Sequence, residues 1–291
     1  VSHSLVERAP AKINLSLHVL GRRDDGYHEL ESLVAFTRSG DLLSWTPGES
    51  LRFVLDGPTA ADSGTLEDNL AVKAVRNLAE RVEGLKLGTL HLTKNLPVAA
   101  GIGGGSSDAA AALRLAARAN ALSADDPRLL EAARTTGADV PVCLDAQARM
   151  MAGIGEKLGP ILSLPPLPVL IVNPRQKLET KSVFARMKIA PGTRTSFGSH
   201  PVISSNLDFE TLIAALRKSR NDMEDAACVL APIVSDVLAV LAAAPGCRLA
   251  RMSGSGATCF GIFADCRAVA RAKKTILDAH RDWWVKAAML N

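Results

Sequence analysis

A glycine cluster, Leu96-Pro97-Val98-Ala99-Ala100-Gly101-Ile102-Gly103-Gly104-Gly105-Ser106-Ser107-Asp108, runs straight into the alanine-rich stretch from Ala109 to Leu122, and it limits the possible folds more than any other segment. Without Cβ atoms at Gly103, Gly104 and Gly105, successive N–H groups can converge on an anion, and the N-terminus of a following helix adds partial positive charge. The segment therefore reads as a phosphate cradle at the head of a helix. Ser106 and Ser107 offer hydroxyls to a phosphate oxygen or a metal ion, or cap the helix. The same residues also suit a plain turn with an N-cap, and the rest of the chain has to decide between the two.

At 291 residues the chain exceeds a typical single core, so two domains are expected. The best boundary is the proline-rich stretch from Gly159 to Pro168, which gives domains 1–160 and 161–291. A hydrophobic share of 47% with 22% charged residues fits a globular chain rather than a disordered one. The net charge of +4 suits an anionic substrate, but no dense Lys/Arg run interleaved with aromatics points to nucleic acid. Cys143, Cys228, Cys247, Cys259 and Cys266 form no C-x-x-C pair, and no histidine cluster has metal-ligand spacing; reduced, structural thiols in a cytoplasmic protein are expected. Val1 to Pro10 lacks the apolar core of a signal peptide. The longest apolar stretch, Val229 to Pro245, is broken by Pro232 and Asp236, so no membrane partner is expected.

Residues 12–19 alternate, with Lys12, Asn14, Ser16 and His18 on one face and Ile13, Leu15, Leu17 and Val19 on the other, which predicts a half-buried strand. After the turn Asp24-Asp25-Gly26, strands are predicted near 27–36, 41–45, 51–55 and 85–94. A helix over 69–83 can be capped by Asp68 or Asn69. Helices at 109–122 and 127–134 follow the glycine loop, and 138–142 reads as irregular or strand-like. Residues 190–206 resemble a mobile surface loop. The second half offers a strand at 169–172, helices near 208–218, 223–230, 233–243 and 266–279, and strands near 247–252, 258–263 and 283–289. Strand and helix alternate without one long parallel series, so the class is α+β.

The loop is no Walker A sequence, because no G-K-[S/T] follows it. It also misses G-x-G-x-x-G, with Ser106 where the third glycine belongs, which argues against a dinucleotide-binding dehydrogenase. Three separated segments agree instead with one pattern. Pro10-Ala11-Lys12-Ile13-Asn14-Leu15, the Pro97–Ser107 loop and Ser253-Gly254-Ser255-Gly256-Ala257-Thr258 resemble motifs one, two and three of the GHMP small-molecule kinases. Gly21-Arg22-Arg23, Asp25-Gly26-Tyr27-His28-Glu29-Leu30, Asp68-Asn69-Leu70, Gly137-Ala138-Asp139-Val140-Pro141 and Asn221-Asp222-Met223-Glu224 narrow the resemblance to members that act on a cytidine-linked alcohol. The likeness spans residues 9 to about 261.

The resemblance implies a two-domain fold, with a left-handed β-α-β N-terminal domain and a ferredoxin-like α/β C-terminal domain. It implies ATP with Mg²⁺, and a cytidine diphosphate-linked small molecule as acceptor. Pro97, Val98, Ala99, Ala100, Gly101, Ile102, Gly103, Gly104, Gly105, Ser106 and Ser107 would wrap the ATP phosphates, with Mg²⁺ on Ser106 or Ser107; Asn69 and Lys94 are candidates for the adenine side. Asp139 would be the general base and Lys12 the ammonium beside it, which stabilises a developing alkoxide. Asn14, Tyr27, His28 and Phe184 would hold the cytidine end, with the base between Tyr27 and Phe184 and its edge read by His28, and Thr180 lining the same pocket. Ser253 to Thr258, with Gly254 and Ser255, would bring a tight turn against the substrate or phosphate edge, or else Gly254 and Gly256 allow only strand packing. A monomer or weak homodimer is expected. The competing readings are another GHMP kinase with a different alcohol, and a non-catalytic nucleotide-binding or RNA-binding module.

Overall fold

The computed structural model describes residues 4–63, 65, 67–196, 198 and 200–290. Its elements run β1 (Leu5–Asn14), β2 (His18–Arg22), β3 (His28–Pro47), β4 (Arg52–Asp56), α1 (Leu70–Ala79), β5 (Gly88–Thr93), α2 (Gly104–Ala119), α3 (Pro127–Thr136) and α4 (Val140–Asp145). There follow β6 (Arg149–Gly153), β7 (Lys157–Ile161), β8 (Leu167–Asn173), α5 (Thr180–Met187), β9 (Thr193–Arg194), α6 (Phe209–Lys218), α7 (Glu224–Leu230), α8 (Ile233–Ala243), β10 (Cys247–Met252), β11 (Cys259–Phe263), α9 (Cys266–Ala279) and β12 (Trp284–Leu290). Two compact units form. One takes the residues up to Lys12 with Ser39–Val98 and Gly103–Ala146; the other takes Ile13–Arg38, Ala99–Ile102 and the residues from Gln147 on. Both units are discontinuous in sequence, unlike a division by one cut after residue 160.

In the first unit β4 lies parallel to β5, from Arg52↔Thr89 to Asp56↔Thr93, and α1 makes the crossover between them. The end of β3 pairs antiparallel with β5, from Leu42↔Thr93 to Pro47↔Gly88. Asn69 caps α1 by accepting the Ala71 N–H at 2.9 Å, and Ala71, Val72, Ala74, Val75 and Leu78 form its buried face. Helix α2 buries Ala109, Ala110, Ala111 and Ala112 as well as Leu113 and Leu115. Small side chains on that face let neighbouring helix backbones come close.

In the second unit β10, β11, β8 and β12 form an antiparallel row, with Met252↔Cys259, Cys259↔Val172 and Val285↔Val172 in register. Strand β8 is buried along its whole length, and Leu170, Val172, Phe263, Val234, Val237, Leu241, Val269 and Ile276 join one apolar core. Burial on both faces explains why β8 reads as a continuous apolar run rather than as an alternation.

Several expectations need correction. The 12–19 strand is not half-buried: β1 ends at Asn14, Leu15 and Ser16 both donate to the Leu33 carbonyl, and β2 begins at His18. Lys12, Asn14, Ser16 and His18 are 4%, 3%, 0% and 0% exposed, so the polar face is interior as well. The strands near 27–36 and 41–45 are one strand, β3. Residues 140–145 are helix, because Pro141 stands in the first turn, where a missing N–H costs no hydrogen bond. Of the 190–206 segment, residues 197 and 199 lie outside the described residues, while Thr195 donates to the carbonyls of Leu20 and Val19 at 2.8 and 2.6 Å. No helix among the described residues is long and apolar enough to cross a membrane.

Candidate active site

In the first unit, β1 delivers Lys12 into the interior, where its Nζ lies 2.9 Å from Asp139 Oδ2; the aspartate side chain stays 38% exposed. Asp139 occupies the N-cap position of α4 yet makes no side-chain cap bond, so its carboxylate faces the ammonium rather than the helix amides. Gly103 takes φ +61°, and a Cβ there would come within 3.1 Å of Lys12 Cβ and Cε. Glycine at this position lets the loop backbone lie against the lysine stem. Beneath the pair, burial first and the Asp139 charge second push the Cys143 thiol up to about 12, so it stays protonated and is no nucleophile.

Helix α2 starts at Gly104, inside the glycine cluster, and its first bond runs from Ser107 N–H to the Gly103 carbonyl. That leaves the amides of Gly104, Gly105 and Ser106 ahead of the helical ladder, at the positive end of the dipole. A Cβ at Gly104 would meet only Lys94 Nζ at 3.6 Å and Leu96 atoms at 3.9 Å and beyond, and one at Gly105 only Leu70 Cδ1 at 3.5 Å. Both are ordinary contacts, so the protein's own packing does not demand glycine at either position. The two serines differ in role. Ser107 is buried and its hydroxyl donates to the Pro10 carbonyl, with the Cys143 thiol against it, which removes it as a free ligand for a metal or phosphate; Ser106 is half-buried.

Lys94 is corrected from an adenine-side ligand to the centre of a buried ionic cluster. Its Nζ bonds Asp41 Oδ2 and, at 2.8 Å, Asp108 Oδ2. Asp41 Oδ1 also accepts the amides of Asn95 and Leu96, at 2.5 and 2.8 Å, which fixes the chain as it enters the glycine loop. Two carboxylates thus face one ammonium out of reach of water. Burial pushes the Asp108 carboxyl up to about 8, Lys94 opposing it and Asp41 adding to it. Burial acts to lower Lys94, but Asp108 and Asp41 outweigh it, and its pKa lies above the ordinary lysine value. Neither Asp41 nor Asp108 stood out in the sequence as part of this cluster, since their partners lie up to 55 residues away.

In the second unit Asn14 Nδ2 donates to Ser32 Oγ at 2.7 Å, and Ser32 Oγ donates to the Ser16 carbonyl at 2.6 Å. This fixes the amide so that Asn14 Oδ1, buried and without a hydrogen-bond partner among the described residues, remains an acceptor. A cavity of about 480 Å³ is lined by Tyr27, His28, Thr180, Lys181 and Phe184 among others. The His28 and Phe184 rings stack at 4.0 Å and 9°, so one face of Phe184 carries the imidazole where a base held between Tyr27 and Phe184 was expected. His28 Nε2 is buried without a partner among the described residues, and burial, then Arg22, lower its pKa from the usual 6.5. Tyr27 is 59% exposed. Thr180 Oγ1 lies 2.7 Å from Ser255 Oγ, which ties the start of α5 to the third motif. A Cβ on Gly254 would stand 2.7 Å from the Gly101 carbonyl oxygen, so this glycine serves a close backbone approach. No cluster of three or more His, Cys, Asp or Glu that could hold a metal ion occurs among the described residues.

Comparison with known proteins shows the family to which the chain belongs. Residues 69–147 match the GHMP kinases N terminal domain, and residues 204–280 match the GHMP kinases C terminal domain. The chain is 53% identical over 287 residues to a 4-diphosphocytidyl-2-C-methyl-D-erythritol kinase of Methylorubrum extorquens, covering 98% of this chain and 99% of the relative. A kinase of the same name from Rhodopseudomonas palustris is 52% identical, with 99% of each chain covered. Among solved structures, a 4-(cytidine 5'-diphospho)-2C-methyl-D-erythritol kinase superposes with a TM-score of 0.79 at 33% identity, over 99% of both chains. A homoserine kinase from Cytophaga hutchinsonii, 17% identical, shares the fold with a TM-score of 0.68 over 98% of this chain and 94% of that one.

Proposed function

Since the chain belongs to the GHMP kinase family, and is a small-molecule kinase whose relatives are named 4-diphosphocytidyl-2-C-methyl-D-erythritol kinase, we propose that it transfers the γ-phosphoryl group of ATP to the 2-hydroxyl of 4-diphosphocytidyl-2-C-methyl-D-erythritol, giving ADP and the 2-phosphate in the non-mevalonate route to isopentenyl diphosphate. The observation that carries the reading is the Lys12–Asp139 pair at 2.9 Å, with Gly103 seated on the lysine stem at the head of α2. Gly104 and Gly105, which the fold itself does not require, leave the backbone open to a phosphate, and the amides of Gly104, Gly105 and Ser106 supply donors. Mg²⁺ would arrive with the nucleotide, take an oxygen ligand from Ser106, and neutralise phosphate charge. As a division of the sequence for this reading, residues 1–160 carry the glycine loop with Lys12 and Asp139, and residues 161–291 carry the third motif.

The acceptor hydroxyl gives its proton to Asp139 as its oxygen attacks the γ-phosphorus. Lys12 Nζ donates to that oxygen while charge develops on it, so the bond to phosphorus forms as the β,γ-bridging oxygen leaves with ADP. On the base side, Asn14 Oδ1 and His28 Nε2 are polar atoms left open for a ligand, and the aromatic lining suits a planar base. The test is ADP release with Mg-ATP and either the cytidine-linked acceptor or the cytidine-free methylerythritol phosphate. Turnover with the first alone is expected; equal turnover with both would remove the cytidine assignment and leave a kinase for a different alcohol.

A further inference from the structure

The segment Asn221-Asp222-Met223-Glu224 has no place in the chemistry above, yet two of its side chains, Asn221 and Glu224, reach the backbone at and just before the third motif. Asn221 Nδ2 donates to two carbonyls, Met252 O at 2.9 Å and Gly254 O at 2.8 Å, while its Oδ1 accepts the Met223 amide at 3.0 Å. Every polar atom of this carboxamide, on a residue only 7% exposed, therefore has a partner of the right kind. Glu224 Oε2 accepts the Met252 amide at 2.8 Å from the other side.

The turn so gripped contains Ser253, which is fully buried. Its hydroxyl accepts the Asn14 amide at 3.0 Å and donates to the Gly101 carbonyl at 2.9 Å, joining the first motif to the glycine loop through one oxygen. A Cβ on Gly101 would lie 2.4 Å from the Ser253 carbonyl oxygen and 2.8 Å from Gly256 N, so turn and loop meet backbone to backbone with no slack. Lys12 stands two residues before Asn14, and Gly103 two residues after Gly101.

We propose that Asn221 is a positioning residue of the phosphoryl-transfer reaction: it touches no reacting atom, but its carboxamide sets the third-motif turn so that the Ser253 hydroxyl holds the first motif and the glycine loop in register. The inference rests on the reading of that loop as the phosphate cradle. Asn221→Asp is nearly isosteric and keeps the acceptor for Met223, but it turns a second oxygen toward the carbonyls of Met252 and Gly254. Ser253→Ala removes the bridging hydroxyl and leaves Asn221 in place, so it carries the test if the first variant does not fold.

Both variants are expected to lose about 100-fold in kcat, the size of effect that a misplaced reacting group produces, with KM for ATP within about threefold of wild type. Ser253→Thr, which retains the hydroxyl, is expected to restore kcat to within about tenfold of wild type. Val237→Ala, a buried change on α8 outside residues 221–224 and 253–258, gives the comparison: it lowers Tm through a cavity and is expected to keep kcat. Wild-type kcat in Asn221→Asp and Ser253→Ala, or an equal loss in Val237→Ala, would overturn the proposal. Hydrogen exchange gives a readout that needs no acceptor. The Asn14 amide is expected to exchange about tenfold faster in Asn221→Asp while α9 is unchanged. A wild-type enzyme inert toward the cytidine-linked acceptor would defeat the functional reading; the positioning role would then stand on accelerated Asn14 exchange and fall if exchange were unaltered.

Discussion

At Gly103 and Gly105 the same substitution has opposite consequences, and the difference separates the fold's needs from the ligand's. Gly103→Ala puts a side chain at φ +61° and within 3.1 Å of Lys12, so it costs about 1–2 kcal/mol of stability and displaces the ammonium. Gly105→Ala meets only Leu70 at 3.5 Å and adds helix propensity of about 1 kcal/mol, so Tm is expected to hold or rise. Its cost falls on the triphosphate, with KM for ATP raised about tenfold as the new methyl takes space beside the amides. Calorimetry and initial rates on the two variants check this; a Gly105→Ala enzyme with wild-type KM would remove the cradle reading of that glycine. Asp139→Asn is expected to lower kcat by about 10²–10⁴ while ATP still binds, the usual size of a lost general base. Isothermal titration alongside steady-state rates separates the two effects.

At the scale of elements, Lys94 binds the loop after β5 to β3 through Asp41 and to α2 through Asp108, all three in the interior. Lys94→Met leaves the Asp41 carboxylate buried without its counter-ion, beside an Asp108 carboxyl that burial already holds far above the usual carboxylate range, and is expected to cost about 3–5 kcal/mol, read as a shift of the denaturation midpoint. A shift below about 1 kcal/mol would mean that solvent reaches the cluster. Such clusters explain what the sequence could and could not disclose. The helices near 69–83, 208–218, 233–243 and 266–279 were legible because their apolar spacing and caps are local, as with Asn69, Asp208 and Asp265. Strand β8 was legible as an apolar run. By contrast, α5 buries only Val183 among its residues, so it carried too weak an apolar stripe to be recognised. The full burial of Lys12, Asn14, Ser16 and His18 was hidden because polar residues alternate in the same way whether they face water or a site. Lys12, Asp139 and the loop could be named as candidates by motif. The Lys94 cluster, the Ser107 bond to Pro10 and the Asn221 grip depend on partners distant in sequence, and no spacing announces them.

For the molecule as a whole, stability should depend on pH through histidines held neutral inside it. Burial, then Arg220, His200 and Arg251, lower His18 from 6.5 to about 4, and burial lowers His200 as well. The folded chain thus refuses protons that the unfolded chain binds below pH 6.5. The His18 contribution is complete above that value and is lost progressively as pH falls toward 4, by up to about 3 kcal/mol. Urea midpoints measured across that range should fall for wild type and fall less for His18→Gln; parallel slopes would assign the acid sensitivity to other groups. Where the transferred phosphoryl group ends up is read most directly by ³¹P with ¹³C NMR of the product formed from Mg-ATP and 4-diphosphocytidyl-2-C-methyl-D-erythritol. A new phosphate resonance coupled to the tertiary carbon at position 2, with stoichiometric ADP, is the predicted result; phosphate on another hydroxyl, or released only as inorganic phosphate, would contradict it.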